Sequence, residues 1–187
     1  MNEKQRTRTS KFLSLVLRHQ PGSARIELDD AGWVRVDELL AGCAGVGRRW
    51  TRDQLNHVVS TNAKKRFEFS PDGQRIRASQ GHSVKVDLQY APQVPPEILY
   101  HGTATRFVES IRAAGLAKMK RHQVHLSDEV KTTMAVGARH GKAVLLTIRA
   151  HEMHQAGHVF HLSTNGVWLV DEVPASFIDF PDTLSAP

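Results

Sequence analysis

The sequence has one cysteine, Cys43, among 187 residues. A single thiol excludes an internal disulfide and a cysteine-cluster zinc site. No apolar run is long enough to span a bilayer, and there is no internal repeat or low-complexity tract. The polar start MNEKQRTRTSK lacks the pattern of a signal peptide, so a cytoplasmic chain is expected. Neither GxGxxG nor a Walker sequence occurs, which leaves a Rossmann or P-loop nucleotide site without support. Eleven histidines raise the question of a metal. However, HEMH places His151 and His154 three residues apart, not at the HExxH spacing. His158 and His161 would fall on opposite faces of an extended segment. With no cysteine support and no compact carboxylate cluster, no metal site is expected.

What is present describes a globular chain: 40% hydrophobic and 24% charged residues, enough for one domain or two small ones. The formal net charge of +6 is unevenly placed. Residues 1–86 carry 16 Lys/Arg against 9 Asp/Glu, and residues 87–187 carry 9 against 10. The first half therefore reads as a polyanion-binding lobe and the second as electrostatically balanced. Three prolines within Pro92–Pro96 disfavour helix and central strand, and the lobe boundary is placed there, giving regions 1–90 and 91–187.

In the first lobe, "SKFLSLVLRHQPG" reads as an amphipathic helix capped by Ser10 and stopped by Pro21-Gly22. Arg18 and His19 then fall in its last turn, where the macrodipole favours cations. "RIELDDAGWVRVDELLAGC" suggests a short strand, a turn near Asp30–Gly32 and a helix around Val36–Leu40. Thr51 and Gln54 fit a capping box for a third helix. "RFEFSPDGQRIRA" reads as two strands about a Pro-Asp-Gly turn. Helices followed by a basic hairpin suggest a winged-helix module. The second lobe reads as mixed α/β. Its strands fall at "EILYHGT", "QVHLS", "AVLLTIRA", "HVFHLS" and "GVWLVDEV", with helices near Arg106–Ala114 and in "DEVKTTMAVGARHG". Gly115 suits a helix cap and Asn165-Gly166 a hairpin turn.

Two segments invite chemistry. "YHGT" at a strand end offers the imidazole of His101, the approachable backbone of Gly102 and the hydroxyl of Thr103 to one ligand. In "KRHQVHLS", His125 and Ser127 share strand parity, so both can line one face near Arg121. Arg66, after Lys64 and Lys65, precedes a strand, and planar guanidinium donors suit phosphate oxygens.

The ordered set "FLSLVLRHQP", "DDAGWVRVDELL", "KKRFEF", "IRASQGHS", "LYHGT", "IRAAGL", "RHQVHLS" and "GVWLVDEVPASFI" resembles the NAD-dependent RNA 2′-phosphotransferases from about Ser10 to Ile178. The resemblance implies an α+β chain: an N-terminal winged-helix RNA lobe followed by a C-terminal ADP-ribosyltransferase-like NAD lobe. It implies transfer of an internal RNA 2′-phosphate, as left at tRNA splice junctions, to NAD through an ADP-ribosylated RNA 2′-phosphate. The products are 2′-hydroxyl RNA, nicotinamide and ADP-ribose 1″,2″-cyclic phosphate. The matching motifs point to Arg18, His19, Arg66 and Arg121 as the catalytic group. His101, Gly102, Thr103, His125 and Ser127 are implied on the NAD side, with NAD a co-substrate, no metal, and a monomer as default. The family more often has a polar residue where His122 stands and histidine where Gln123 stands. Two alternatives stay open: an ADP-ribosyltransferase acting on terminal phosphates of RNA or DNA, and a non-catalytic winged-helix regulator.

Overall fold

Asn2 and Gln5 close a capping box at the start of the first helix. Each backbone N–H donates to the other's side-chain oxygen at 2.9 Å, satisfying two of the donors a helix start leaves open. In the computed structural model, which describes residues 1–119 and 122–181, α1 therefore spans Glu3–Val16. Ser10, the expected cap, lies inside it. The third residue after Ser10 is Leu13, which cannot reciprocate as Gln5 does for Asn2. At the other end Leu17 is the C-cap, so Arg18 and His19 lie beyond the helix and not in its last turn. The His19 and Gln20 amides both donate to the Leu15 carbonyl, at 2.9 and 2.8 Å. Pro21 then opens a 3-10 turn, Pro21–Ala24.

The strand expected over "RIEL" is absent. Asp29 Oδ1 instead accepts from the amides of Ala31 (3.0 Å) and Trp33 (2.8 Å), and pairing begins only after this turn, at β1 (Val34–Arg35). Next come α2 (Val36–Gly45) and α3 (Arg52–Ser60). The Thr51–Gln54 capping box expected for α3 is present. β2 (Phe67–Phe69) and β3 (Arg75–Ala78) form the expected hairpin, Phe67 opposite Ala78, and β1 joins the far side of β3. Gly73 adopts φ 68° at the turn, a conformation glycine reaches without Cβ strain. The α1 residues Leu13 and Val16, with Leu17 just after them, pack with Leu39, Cys43, Leu55 and Ile76 into one core.

A contact boundary separates this unit, Met1–Gln89, from a second that starts at Tyr90. The second unit contains β4 (Ile98–Ala104), α4 (Val108–Ala114), β5 (Leu116–Ala117), β6 (Val124–Leu126) and α5 (Val130–Gly137). It continues with β7 (Ala143–Arg149), α6 (Ala150–Gln155), β8 (His161–Leu162), β9 (Trp168–Val170), β10 (Glu172–Val173) and β11 (Ile178–Asp179). Two three-stranded sheets result, β11-β7-β4 and β6-β9-β8, with a separate β5-β10 pair. β4 and β7 pair antiparallel from Ile98–Arg149 to Ala104–Ala143. Along β7, Val144, Leu146 and Ile148 are buried in alternation, the period a half-covered strand requires. These residues share a core with Leu99, Leu126, Met153 and Phe160. The proline-rich segment is not loose: Gln93 N–H donates to the Phe160 carbonyl at 2.8 Å and Pro92 bridges His161. Proline is tolerated at such a sheet edge because no ladder donor is needed there.

The described helices include none long and apolar enough to cross a membrane. No group of three His, Cys, Asp or Glu side chains comes together among the described residues. His151 and His154 stand with ring centroids 6.4 Å apart on α6, and His158 meets the Phe177 ring edge-on.

Candidate active site

Arg18 and Arg66 are 48 residues apart in sequence and adjacent in the first unit. Arg18 Nη2 donates to the Arg66 carbonyl at 3.3 Å. Three local features place them. Leu17 ends α1, so Arg18 is released from the helix just beyond a buried anchor. The Arg18 carbonyl accepts from the amides of Ser83 (2.8 Å) and Val84 (3.3 Å), fixing its backbone against the segment after the hairpin. On the other side, the Ser79 amide donates to the Arg66 carbonyl at 2.9 Å, and Lys65 turns the chain with φ 40°.

Asn62 holds the second arginine. Its Oδ1 accepts from the Arg66 amide at 3.3 Å and from Arg66 Nη1 at 3.5 Å, while its Nδ2 donates to Ser10 Oγ. Arg66 thereby lines a cavity of about 320 Å³ between α1 and α3, with Arg6, Lys11 and Asn62. His19 is exposed, and its Nδ1 lies 2.9 Å from Ser83 Oγ. Neither Asn62 nor Ser83 is a candidate on sequence grounds. Ser83 closes the "IRASQGHS" motif, the one signal pointing to it; Asn62 carries no comparable mark.

Not every arginine of this unit is available to a ligand. Arg77 is buried, with Nε donating to Glu68 Oε1 at 2.7 Å and Nη1 donating to the Leu88 and Ala31 carbonyls at 3.0 and 3.3 Å. Its guanidinium also covers the Trp33 ring at 4.4 Å. A charge this well matched is a tie between segments. Arg18 and Arg66 are half-buried, Arg18 Nη2 on the Arg66 carbonyl and Arg66 Nη1 on Asn62 Oδ1.

In the second unit, β4 and β6 meet where Tyr100 and Ser127 exchange backbone hydrogen bonds of 2.7 and 3.1 Å. This junction brings His101, His125 and Ser127 together. His101 Nδ1 lies 3.1 Å from the His125 carbonyl. A carbonyl only accepts, so Nδ1 carries a proton and donates it to that carbonyl. Val124 and Leu126 are buried while His125 and Ser127 are half-buried, so the latter pair lies on the outer side of β6. Ser127 Oγ accepts from the Glu129 amide at 3.0 Å, joining the junction to the start of α5.

Gly102 and Thr103 have a different environment from the one the tetrapeptide suggests. A Cβ on Gly102 would stand 2.0 Å from the Thr133 carbonyl oxygen, and one on Gly137 would stand 2.6 Å from the Thr103 oxygen. The close approach that glycine permits here is taken by α5. Thr103 is buried on the same strand. Arg121 lies outside the described residues, so the fourth member of the candidate catalytic group has no structural account.

The RNA 2′-phosphotransferase, Tpt1/KptA family model matches residues 4–172, most of both units. A probable RNA 2′-phosphotransferase of Pseudomonas aeruginosa is 55% identical over 179 residues, covering 95% of this chain and 98% of that one. Others so named from Nostoc punctiforme and Streptomyces coelicolor are 51% and 50% identical, over 95% and 97% of this chain and 98% of each of theirs. Arg18, His19, Arg66, His101, His125 and Ser127 all lie within the matched span. With a similarity of this depth running through both units, the chain belongs to the RNA 2′-phosphotransferase, Tpt1/KptA family.

Proposed function

We propose that the protein removes an internal 2′-phosphate from RNA by transferring it to NAD. The first unit is read as a winged-helix RNA lobe and the second as an ADP-ribosyltransferase-like NAD lobe. The observation that carries the reading is the pairing of Arg18 with Arg66 in the basic unit of a chain of this family. The Arg18 guanidinium is brought from a distant segment to the backbone of Arg66, and guanidinium groups suit a dianionic phosphomonoester, whose oxygens accept paired N–H donors.

The chemistry fits the residue types. A 2′-phosphomonoester has a second pKa of about 6 and is largely dianionic at neutral pH, so its attack on C1″ of the nicotinamide ribose, which breaks the bond to nicotinamide and releases it, needs no general base. The protein's work is alignment and charge stabilisation. Arg18, Arg66 and Arg121 hold the phosphate oxygens. In the second step the ribose 2″-hydroxyl attacks phosphorus and the RNA 2′-oxygen leaves as a hydroxyl. His19, exposed and oriented by Ser83, contacts the phosphate or supplies the proton that oxygen needs. His101 Nε2 accepts from a hydroxyl of the nicotinamide ribose, and His125 and Ser127 line the same place. The Gly102 and Thr103 backbone forms the floor under them. This scheme requires no metal.

Incubation with NAD and an oligonucleotide bearing one internal 2′-phosphate tests the proposal. Equal amounts of 2′-hydroxyl RNA, nicotinamide and ADP-ribose 1″,2″-cyclic phosphate are expected. Accumulation of ADP-ribosylated nucleic acid without the cyclic phosphate would instead indicate a terminal-phosphate ADP-ribosyltransferase, and absence of NAD consumption would overturn the reading.

A further inference from the structure

A second basic surface on the first unit stands apart from the arginine pair. One cavity of about 460 Å³ is lined by Arg8, Lys11, Phe12 and Arg48, with Leu15 at its base. Another of about 300 Å³ shares Arg8 and Arg48 and adds Arg49 and Trp50. The two are neighbours, with Arg8 and Arg48 lining both. Lys11 also borders the cavity that holds Arg66. The surface is both cationic and aromatic: the Arg48 guanidinium lies 4.1 Å from the Phe12 ring centroid, and Phe12 meets Trp50 at 6.0 Å with an interplanar angle of 68°. Arg8, Lys11, Arg48 and Arg49 are exposed, and none pairs with a carboxylate among the described residues. No Asp or Glu lines either cavity.

We propose that this track binds a single-stranded stretch of the RNA substrate flanking the 2′-phosphate, with bases against Phe12, Trp50 and Arg48 and phosphates on Arg8, Lys11 and Arg49. The inference rests on the RNA reading above and extends it from one phosphate to a strand. The physical grounds are twofold. Unmatched cations in a row favour a polyanion through counterion release. Aromatic and guanidinium faces beside them favour unpaired bases, whose π-surfaces a duplex hides. Lys11, shared by two of the cavities, gives the strand a continuous basic path toward Arg66.

The test compares a trinucleotide with a 15-mer, each carrying one internal 2′-phosphate, at saturating NAD. Wild-type protein is expected to show a KM about tenfold lower for the 15-mer. An Arg48→Ala, Arg49→Ala double variant should lose most of that preference. The dependence of log KM on log salt should also flatten, by roughly 0.7 for each phosphate that the variant no longer neutralises. Arg49→Ala alone, at an exposed position that packs on no ring, should lose part of the preference and guards against a folding defect from removing Arg48. An unchanged length preference in these variants would overturn the track, as would an equal response to the 15-mer annealed to its complement. If no product forms from either substrate, the functional reading fails separately. Fluorescence anisotropy of the labelled 15-mer then still decides the track, with weakened binding by the double variant supporting it and unchanged binding ending it.

Discussion

The two units mount their candidate residues in opposite ways. In the first, Arg18, His19 and Arg66 sit off regular structure, just past the end of α1 and just before β2, held by backbone hydrogen bonds from Ser79, Ser83 and Val84. In the second, His101 lies within β4 and His125 within β6, and their positions follow from strand pairing. The first unit also has most of the positive charge, while the second is balanced. The difference suits the proposed roles. Long cationic side chains on short, pinned connections can converge on a compact polyanion. A strand junction offers a more rigid arrangement of donors and acceptors, appropriate to a larger ligand that must be oriented.

Breaking the first arrangement should have the largest effect. Arg18→Ala or Arg66→Ala is expected to lower kcat/KM for a 2′-phosphorylated RNA by about 10²–10³-fold, with an unchanged circular-dichroism spectrum. Near-normal turnover by either variant would remove the arginine pair from the phosphate site. The second arrangement should fail structurally first, because its glycine is a packing residue. Gly102→Val would drive side-chain atoms into the Thr133 carbonyl of α5. A loss of about 3 kcal/mol or more in unfolding free energy is expected, against little change for Gly22→Ala, where a Cβ meets nothing within 4 Å.

Within the second unit, His101 separates cofactor binding from strand packing. His101→Ala should raise the KM for NAD about tenfold and leave the KM for RNA nearly unchanged, as expected for removal of one hydrogen bond to a bound hydroxyl. His101→Asn, whose amide can still donate to the His125 carbonyl, should hold the junction together without restoring the Nε2 acceptor. Normal NAD kinetics in both variants would take His101 out of the cofactor site.

The smallest effect concerns the core under the basic unit. Cys43 is fully buried between helices, and burial pushes its thiol pKa up to about 11. The unfolded chain then loses this proton near the ordinary value of 9.0 while the folded one retains it. Stability is therefore full below pH 9 and falls as pH rises toward 11, by about 1–2 kcal/mol. Cys43→Ala should flatten that fall in denaturant titrations at about pH 8 and about pH 10.5, either side of the ordinary thiol pKa. A steeper fall in the variant would assign the alkaline loss to another group.

Local physics is legible wherever one short segment contains both partners of an interaction. Thr51 and Gln54 cap α3, the Pro-Asp-Gly turn joins β2 to β3, and β7 forms within "AVLLTIRA", where a strand is expected. The same capping logic holds at Asn2 and Gln5, ahead of the expected cap at Ser10, and it adds the first half of α1. Short pairs such as β5–β10 and the β11 edge have no signature, because two residues are too few to show a period. The "RIEL" segment has strand composition, but the Asp29 turn places the pairing after it.

The basic first half, the single thiol and the ordered motifs that mark the family are legible without any coordinates, because charge, composition and motif order are properties of the chain alone. Folding, by contrast, brings Arg18 to Arg66 across 48 residues and His19 to Ser83 across 64. Folding also packs Gly102 against α5. Those outcomes depend on which segments the two hydrophobic cores draw together, and proximity between distant segments leaves no periodicity for a sequence to carry.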